Sequence, residues 1–151
     1  MGIELHRFQE EGRDYLVSHP RALLAHEMGL GKTVQAIAAL SIILGSNDHA
    51  LVICPASLRL NWIAEIKRFN PAILDKVTVA SYEMFQKGSF NDLKVLIVDE
   101  AHYLKNPQAK RTKAVLSLAM GIEHTWFLSG TPITSTTVDS FTLFSFIAPE
   151  H

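Results

Sequence analysis

Ala22-Leu23-Leu24-Ala25-His26-Glu27-Met28-Gly29-Leu30-Gly31-Lys32-Thr33-Val34-Gln35-Ala36 is the stretch on which the fold turns. It passes from a short apolar run, through a loop with two glycines, into a helical pattern from Lys32 to about Leu44. A loop that cradles phosphate needs a tight turn with backbone N–H groups pointing inward, and Gly29 and Gly31 permit one because they lack a Cβ. The helix that starts there adds its positive N-terminal end to an anion site. In such a loop Lys32 would neutralise the β- and γ-phosphates and the Thr33 hydroxyl would hold Mg²⁺. The strict pattern wants glycine where His26 stands. An ordinary surface lysine on a glycine-containing loop is the alternative reading, and the strand–loop–helix setting weighs against it.

Outward from this stretch the same alternation repeats. Ala50-Leu51-Val52-Ile53-Cys54 precedes a segment in which Leu58, Trp62, Ile66 and Phe69 recur at helical spacing. Val77-Thr78-Val79-Ala80 and Val95-Leu96-Ile97-Val98 are β-branched runs too short for helices, and His124-Thr125-Trp126-Phe127-Leu128 follows a helical pattern from Ala109 to Met120. Continuous apolar strands alternating with helices predict a mainly parallel sheet covered on both faces, a three-layer α/β domain. Near the end, Phe141, Leu143, Phe144, Phe146 and Ile147 make Val138 to Ile147 apolar around most of a helical circumference. That segment is expected either as a well-buried last helix or as a face for further chain or a partner.

Composition narrows the class. The chain has 151 residues, 48% of them hydrophobic and 19% charged, enough apolar material for one core and the opposite of a disordered profile. Its single cysteine, Cys54, excludes a disulfide framework and suits a reducing compartment. The longest apolar stretch, Ala36 to Leu44, is interrupted by Ser41 and is too short for a membrane span, so no membrane partner is expected. The first six residues lack an apolar signal core. A cytoplasmic or nuclear protein is the expectation. A net charge of −1 argues against coating nucleic acid over the whole surface but leaves room for a local basic track.

The second chemical signal is Asp99-Glu100-Ala101-His102, directly after the Val95–Val98 run. Ligands of open α/β sheets bind at the carboxyl ends of the strands, where this pair and the phosphate loop would both project. Asp99 is placed to hold Mg²⁺, and Glu100 to orient and deprotonate an attacking water. Two acids ending a strand are commonly only a polar terminus; joined to a Lys-Thr phosphate loop they point to a nucleoside triphosphatase. Gln9, ahead of the first strand, offers both donor and acceptor to an adenine edge. Ser129-Gly130-Thr131-Pro132-Ile133 ends the last strand on the same side. Lys105, Lys110, Arg111 and Lys113 form a basic cluster, either a solvated face or a phosphate-backbone contact.

Taken together, these motifs resemble the first RecA-like lobe of a Swi/Snf-type ATPase, a superfamily-two helicase relative. The resemblance covers nearly the whole chain. It rests on Leu23 to Ala38, on Ile53-Cys54-Pro55-Ala56-Ser57-Leu58 with Asn61-Trp62, and on Ser81-Tyr82-Glu83. Val98 to Asn106, with its DEAH-type box, and Ser129 to Ile133 complete it. It implies a RecA-like P-loop NTPase lobe over residues 1–151, with ATP and Mg²⁺ as cofactors and translocation on double-stranded DNA as the activity. By the same resemblance Gln9, His26, Glu27, Met28, Gly29, Leu30, Gly31, Lys32 and Thr33 bind the nucleotide. Thr33 and Asp99 serve the metal, and Glu100, Lys32 and Asp99 are catalytic. Pro55, Ser57, Ser81, Tyr82, His102, Lys105 and Asn106 lie on motifs that face DNA or couple it to the ATP site; Ser129, Thr131 and Pro132 link hydrolysis to movement between lobes.

Two departures stand out. The family usually carries aspartate at the position of His26, so a mild pH dependence of ATP binding is expected, and equal affinities at pH 6 and 8 would refute it. Thr134-Ser135-Thr136 stands where the family commonly has a Gln-Asn pair. The family's second lobe, which supplies the charge-stabilising arginines, has no counterpart here, and neither Arg68 nor Arg111 lies on a matching motif. A second lobe in cis or in trans is therefore an expected partner, and turnover by this chain alone is expected to be poor. The short stretch before Gln9 suggests a compact microbial or viral version, in a host cytosol. Two rivals are an idle nucleotide- or DNA-binding module that docks a partner, and a small-molecule kinase, for which no acceptor lid or arginine set is visible.

Overall fold

The computed structural model describes residues 5–25, 31–104 and 108–130, with no side-chain description for Ala25, His102 and Tyr103. Helix α1 (Arg7–Ser18) leads into β1 (Arg21–Ala25), and α2 (Lys32–Ile43) into β2 (Ala50–Cys54). Then follow α3 (Arg59–Phe69), β3 (Val77–Ser81), α4 (Tyr82–Lys87), β4 (Val95–Asp99), α5 (Lys110–Met120) and β5 (His124–Ser129). Short 3₁₀ turns at Ala56–Leu58, Pro71–Lys76 and Ala101–Leu104 fill the corners.

The five strands form one sheet in the order β1-β5-β4-β2-β3, every pair parallel. Parallel pairing needs a crossover between successive strands, and the helices supply it. Alternation along each strand sends side chains to two faces. Ala50, Val52 and Cys54 join Val95, Ile97, Trp126 and Leu128 in a core closed by Leu16 of α1, Ile37 and Leu40 of α2, and Trp62 and Ile66 of α3. Leu51, Ile53, Leu96, Val98 and Phe127 point the other way, onto Tyr82 and Phe85 of α4 and Val115 and Ala119 of α5. β2, β4 and β5 are buried along their whole length, the reason their sequences lack polar alternation. Exposed Thr78 lies on β3, an edge of the described sheet.

The expected three-layer α/β architecture is the one observed. Strand ends extend a residue beyond the apolar runs, taking in Arg21, Ser81, Asp99 and Ser129. The apolar segment from Val138 to Ile147 lies outside the described residues.

Candidate active site

A parallel sheet gathers the carboxyl ends of all its strands along one edge. In this strand order β5 separates β1 from β4, so the carboxyl ends of β1 and β4 stand about 10 Å apart, two strand spacings. A lysine side chain spans that gap. Lys32, the first residue of α2, donates from Nζ to Asp99 Oδ1 at 3.1 Å and lies 3.7 Å from Glu100 Oε1. Lys32 and Asp99 are both buried. A buried ion pair persists only when its remaining donors and acceptors are also matched.

Asp99 meets that condition. The Glu100 backbone N–H donates to Oδ1 at 2.9 Å, and the Trp62 indole Nε1–H donates to Oδ2 at 2.8 Å. Tyr82 hydroxyl donates to the Asp99 backbone carbonyl at 2.9 Å. Glu100 has φ of +54°, a left-handed conformation that costs a non-glycine residue about 1–2 kcal/mol. That backbone turn follows the strand end immediately and accompanies a side chain whose Oε1 accepts from the Gly130 N–H at 3.2 Å, just past β5. Three strands thus converge on two carboxylates.

Gly31 precedes α2 with φ of +77°, and a Cβ there would meet Gln9 Nε2. The glycine is required by its backbone conformation, and its missing side chain leaves room for the amide of Gln9. Gln9 is anchored in turn, its Oε1 accepting the His6 N–H at 2.9 Å. Gln9 and Gly31, both expected from the sequence to serve the nucleotide, are therefore neighbours.

The other expected residues divide by exposure. Ser57 is exposed, whereas Pro55, Ser81, Tyr82 and Ser129 are buried. Ser81 Oγ accepts the Met84 N–H and caps α4. Burial pushes the Tyr82 phenol well above the ordinary tyrosine range, and the negative charge of Asp99 adds to it. Arg111 stacks its guanidinium 5.0 Å from the Tyr82 ring centroid. That removes Arg111 from the exposed basic face on which Lys110 and Lys113 remain. His26, Glu27, Met28, Gly29, Leu30, Lys105, Asn106, Thr131, Pro132 and Thr134-Ser135-Thr136 lie outside the described residues, as does the side chain of His102.

The sequence puts Trp62 on a helical apolar stripe and in the Asn61-Trp62 part of a family-like motif, but assigns it no part in the site. The visible signal was Asn61-Trp62 after the Pro55 motif, but an indole N–H reaching a carboxylate 37 residues away leaves no periodic trace. Gln35 likewise carries no role that the sequence predicts. Its side chain is fully buried, with no partner for either amide atom among the described residues, and a Cβ at Gly12 would collide with its Oε1.

A parallel α/β sheet whose first helix delivers a lysine to an acid pair at the end of a central strand defines a RecA-like lobe of the phosphate-loop class. The family described as SNF2-related domain matches residues 8–82 and 74–151, and the chain belongs to that family. It is 30% identical over 169 residues to SWI/SNF-related matrix-associated actin-dependent regulator of chromatin subfamily A-like protein 1 of Xenopus tropicalis, covering 99% of this chain and 18% of that protein. It is 30% identical over 179 residues to Helicase swr1 of Schizosaccharomyces pombe, covering 96% of this chain and 14% of that protein. Among solved structures, the Sulfolobus solfataricus SWI2/SNF2 ATPase core in complex with dsDNA superposes with a TM-score of 0.83 at 29% identity, covering 98% of this chain and 36% of that one. The chain thus spans well under half of each of these proteins.

Proposed function

We propose that this chain is the ATP-binding lobe of a DNA-dependent ATPase that moves along double-stranded DNA, and that its turnover depends on a second RecA-like lobe. The observation that carries the reading is the convergence of Lys32, Asp99 and Glu100 at the carboxyl edge of the sheet, in a chain of the SNF2-related family. A solved relative described as an ATPase core in complex with dsDNA supports both the nucleotide and the polymer.

The donor set suits Mg²⁺, which takes hard oxygen ligands, one or two carboxylates together with substrate phosphates. Asp99 and the Thr33 hydroxyl would hold the ion, which supplies charge neutralisation on the phosphates. Lys32 turns between Asp99 and the phosphates of ATP, Glu100 orients and deprotonates the attacking water, and Gln9 reads the adenine. The buried positions of Ser81, Tyr82 and Ser129 favour coupling over direct DNA contact; Ser57, exposed after β2, is the better contact residue. Among the described residues no helix is long and apolar enough to cross a membrane, and a compartment holding DNA, the cytosol of a microbe or infected host or a nucleus, fits the reading.

The test is nucleotide binding and hydrolysis by the 151-residue chain, with and without duplex DNA, beside Lys32→Ala checked for folding by circular dichroism. Binding by the parent chain and its loss in Lys32→Ala are expected, with little turnover in either, because an arginine supplied by another lobe is worth about 10³–10⁵ in rate. A parent chain that binds no nucleotide would overturn the assignment. Robust DNA-stimulated turnover by the chain alone would overturn the need for a second lobe.

A further inference from the structure

From the buried contact between α3 and the end of β4 we infer that Trp62 is a positioning residue for Asp99, holding the carboxylate in the orientation in which it serves Mg²⁺. The inference rests on the proposed function and deepens it. A carboxylate has about four acceptor sites, and three of those on Asp99 are taken. Oδ1 accepts from Lys32 at 3.1 Å and from the Glu100 N–H at 2.9 Å, while Oδ2 accepts from Trp62 at 2.8 Å. These three donors differ in kind. Lys32 sits on a flexible stem and is the group that phosphates attract. The Glu100 N–H belongs to the residue next to Asp99 and cannot hold the carboxylate against rotation as a whole. Trp62 is fully buried, part of the same hydrophobic core as Ile66, Val52 and Leu40 on the α1–α2–α3 face, so its ring has little room to move. It is the one donor rigid and remote enough to keep Oδ2 fixed when Lys32 leaves Oδ1. Hydrogen-bond partners of metal-ligating carboxylates typically contribute 10–100-fold in metal affinity.

α3 also begins directly after the turn carrying Ser57. The helix that holds the Asp99 donor is thus continuous with that turn.

Two measurements test the inference. In the first, Trp62→Phe keeps an aromatic ring and deletes the N–H; Mg²⁺ is titrated against a fluorescent ATP analogue held at fixed concentration. The midpoint for Mg²⁺ is expected to rise about 10-fold, with Mg²⁺-free nucleotide affinity unchanged. A purely structural tryptophan would lower thermal stability and leave that midpoint in place. The second measurement needs no folded Trp62 variant. The chain contains two tryptophans, so ¹⁵N-indole labelling gives two N–H resonances. Trp126 Nε1 has no partner among the described residues, which separates the two signals. The Trp62 resonance is expected to shift in Asp99→Asn and again when Mg²⁺ and the analogue are added to the parent chain, with Trp126 nearly still. Nucleotide binding by the parent chain with an unmoved midpoint in folded Trp62→Phe, or with an indole signal indifferent to Asp99→Asn, overturns this inference alone. Absence of nucleotide binding by the parent chain overturns the functional reading and the inference with it.

Discussion

Glu100 carries the sharpest conflict between local preference and tertiary demand. A glutamate in the left-handed region is uncommon, and strain of this kind persists only where surrounding contacts overdetermine it. Here those contacts are its backbone N–H on Asp99 Oδ1 and its Oε1 on the Gly130 N–H. Replacing Glu100 by alanine or by glycine removes the same carboxylate, so the two variants differ only in how well they tolerate φ of +54°. Glu100→Gly should therefore be about 1 kcal/mol more stable than Glu100→Ala in urea denaturation. Equal stabilities, or alanine the more stable, would mean that the backbone is not held in this conformation. Lys32 is exposed to a different cost. Lys32→Met would leave Asp99 buried with its negative charge but without its cation, a loss of about 3–5 kcal/mol. Chemical denaturation of Lys32→Met against Lys32→Met/Asp99→Asn checks the cause: the double variant should recover part of the loss because the unpaired charge is gone.

At the scale of elements, the contact between α1 and α2 decides where Gln9 sits. Gly12 is buried in the middle of α1, where glycine costs about 0.5–1 kcal/mol relative to alanine. It is there because Gln35 of α2 occupies the space a side chain would need. Gly12→Ala gains helix propensity but pushes α1 away from α2, and a net loss of about 1–3 kcal/mol is expected. Gly12→Ala/Gln35→Ala removes the obstructing amide and should be at least as stable as Gln35→Ala, so the thermodynamic cycle gives a coupling of opposite sign to the single-variant loss. Additive effects would show that the two side chains do not compete for one space. The helices themselves were legible in the sequence: the spacing of Leu58, Trp62, Ile66 and Phe69 marks α3, and Lys110 to Met120 is α5. Periodicity reports which face of a helix is buried. It does not report that Trp62 has a second job, because its N–H reaches a carboxylate on another element. It also presents Gly12 only as a weak point in a helix, since the reason for it lies in the opposing helix.

At the scale of the whole molecule, the five short apolar runs were enough to foresee a parallel sheet, but not its order. Placing β5 between β1 and β4 depends on how the crossovers pack, and this placement brings Gly130 to Glu100 and Lys32 to Asp99. The same geometry concentrates charge and burial along one edge. β2 pairs with β4 and β3 with β2, and Cys54 at the end of β2 and Tyr82, whose hydroxyl reaches back from just after β3 to the Asp99 carbonyl, both feel Asp99. Burial, with the Asp99 charge added, pushes the Cys54 thiol from 9.0 up to about 12 and raises the Tyr82 phenol above its usual 10.0. Both groups are neutral when protonated, so a raised value means the folded chain keeps protons that the unfolded chain releases. Between about pH 9 and 12 the unfolded state therefore binds fewer protons from Cys54 than the folded state, and stability falls as pH rises. The slope is roughly 1.4 kcal/mol per pH unit for each group so affected. Urea denaturation under reducing conditions from pH 8 to 11 should show stability steady at first and then declining. Cys54→Ala should decline less steeply above pH 9, and Tyr82→Phe less steeply above pH 10. Parallel slopes in parent and Cys54→Ala would mean that the thiol is not held protonated by the fold. A flattened slope would show that the fold keeps the Cys54 thiol protonated, by burial first and by the nearby charge of Asp99 second.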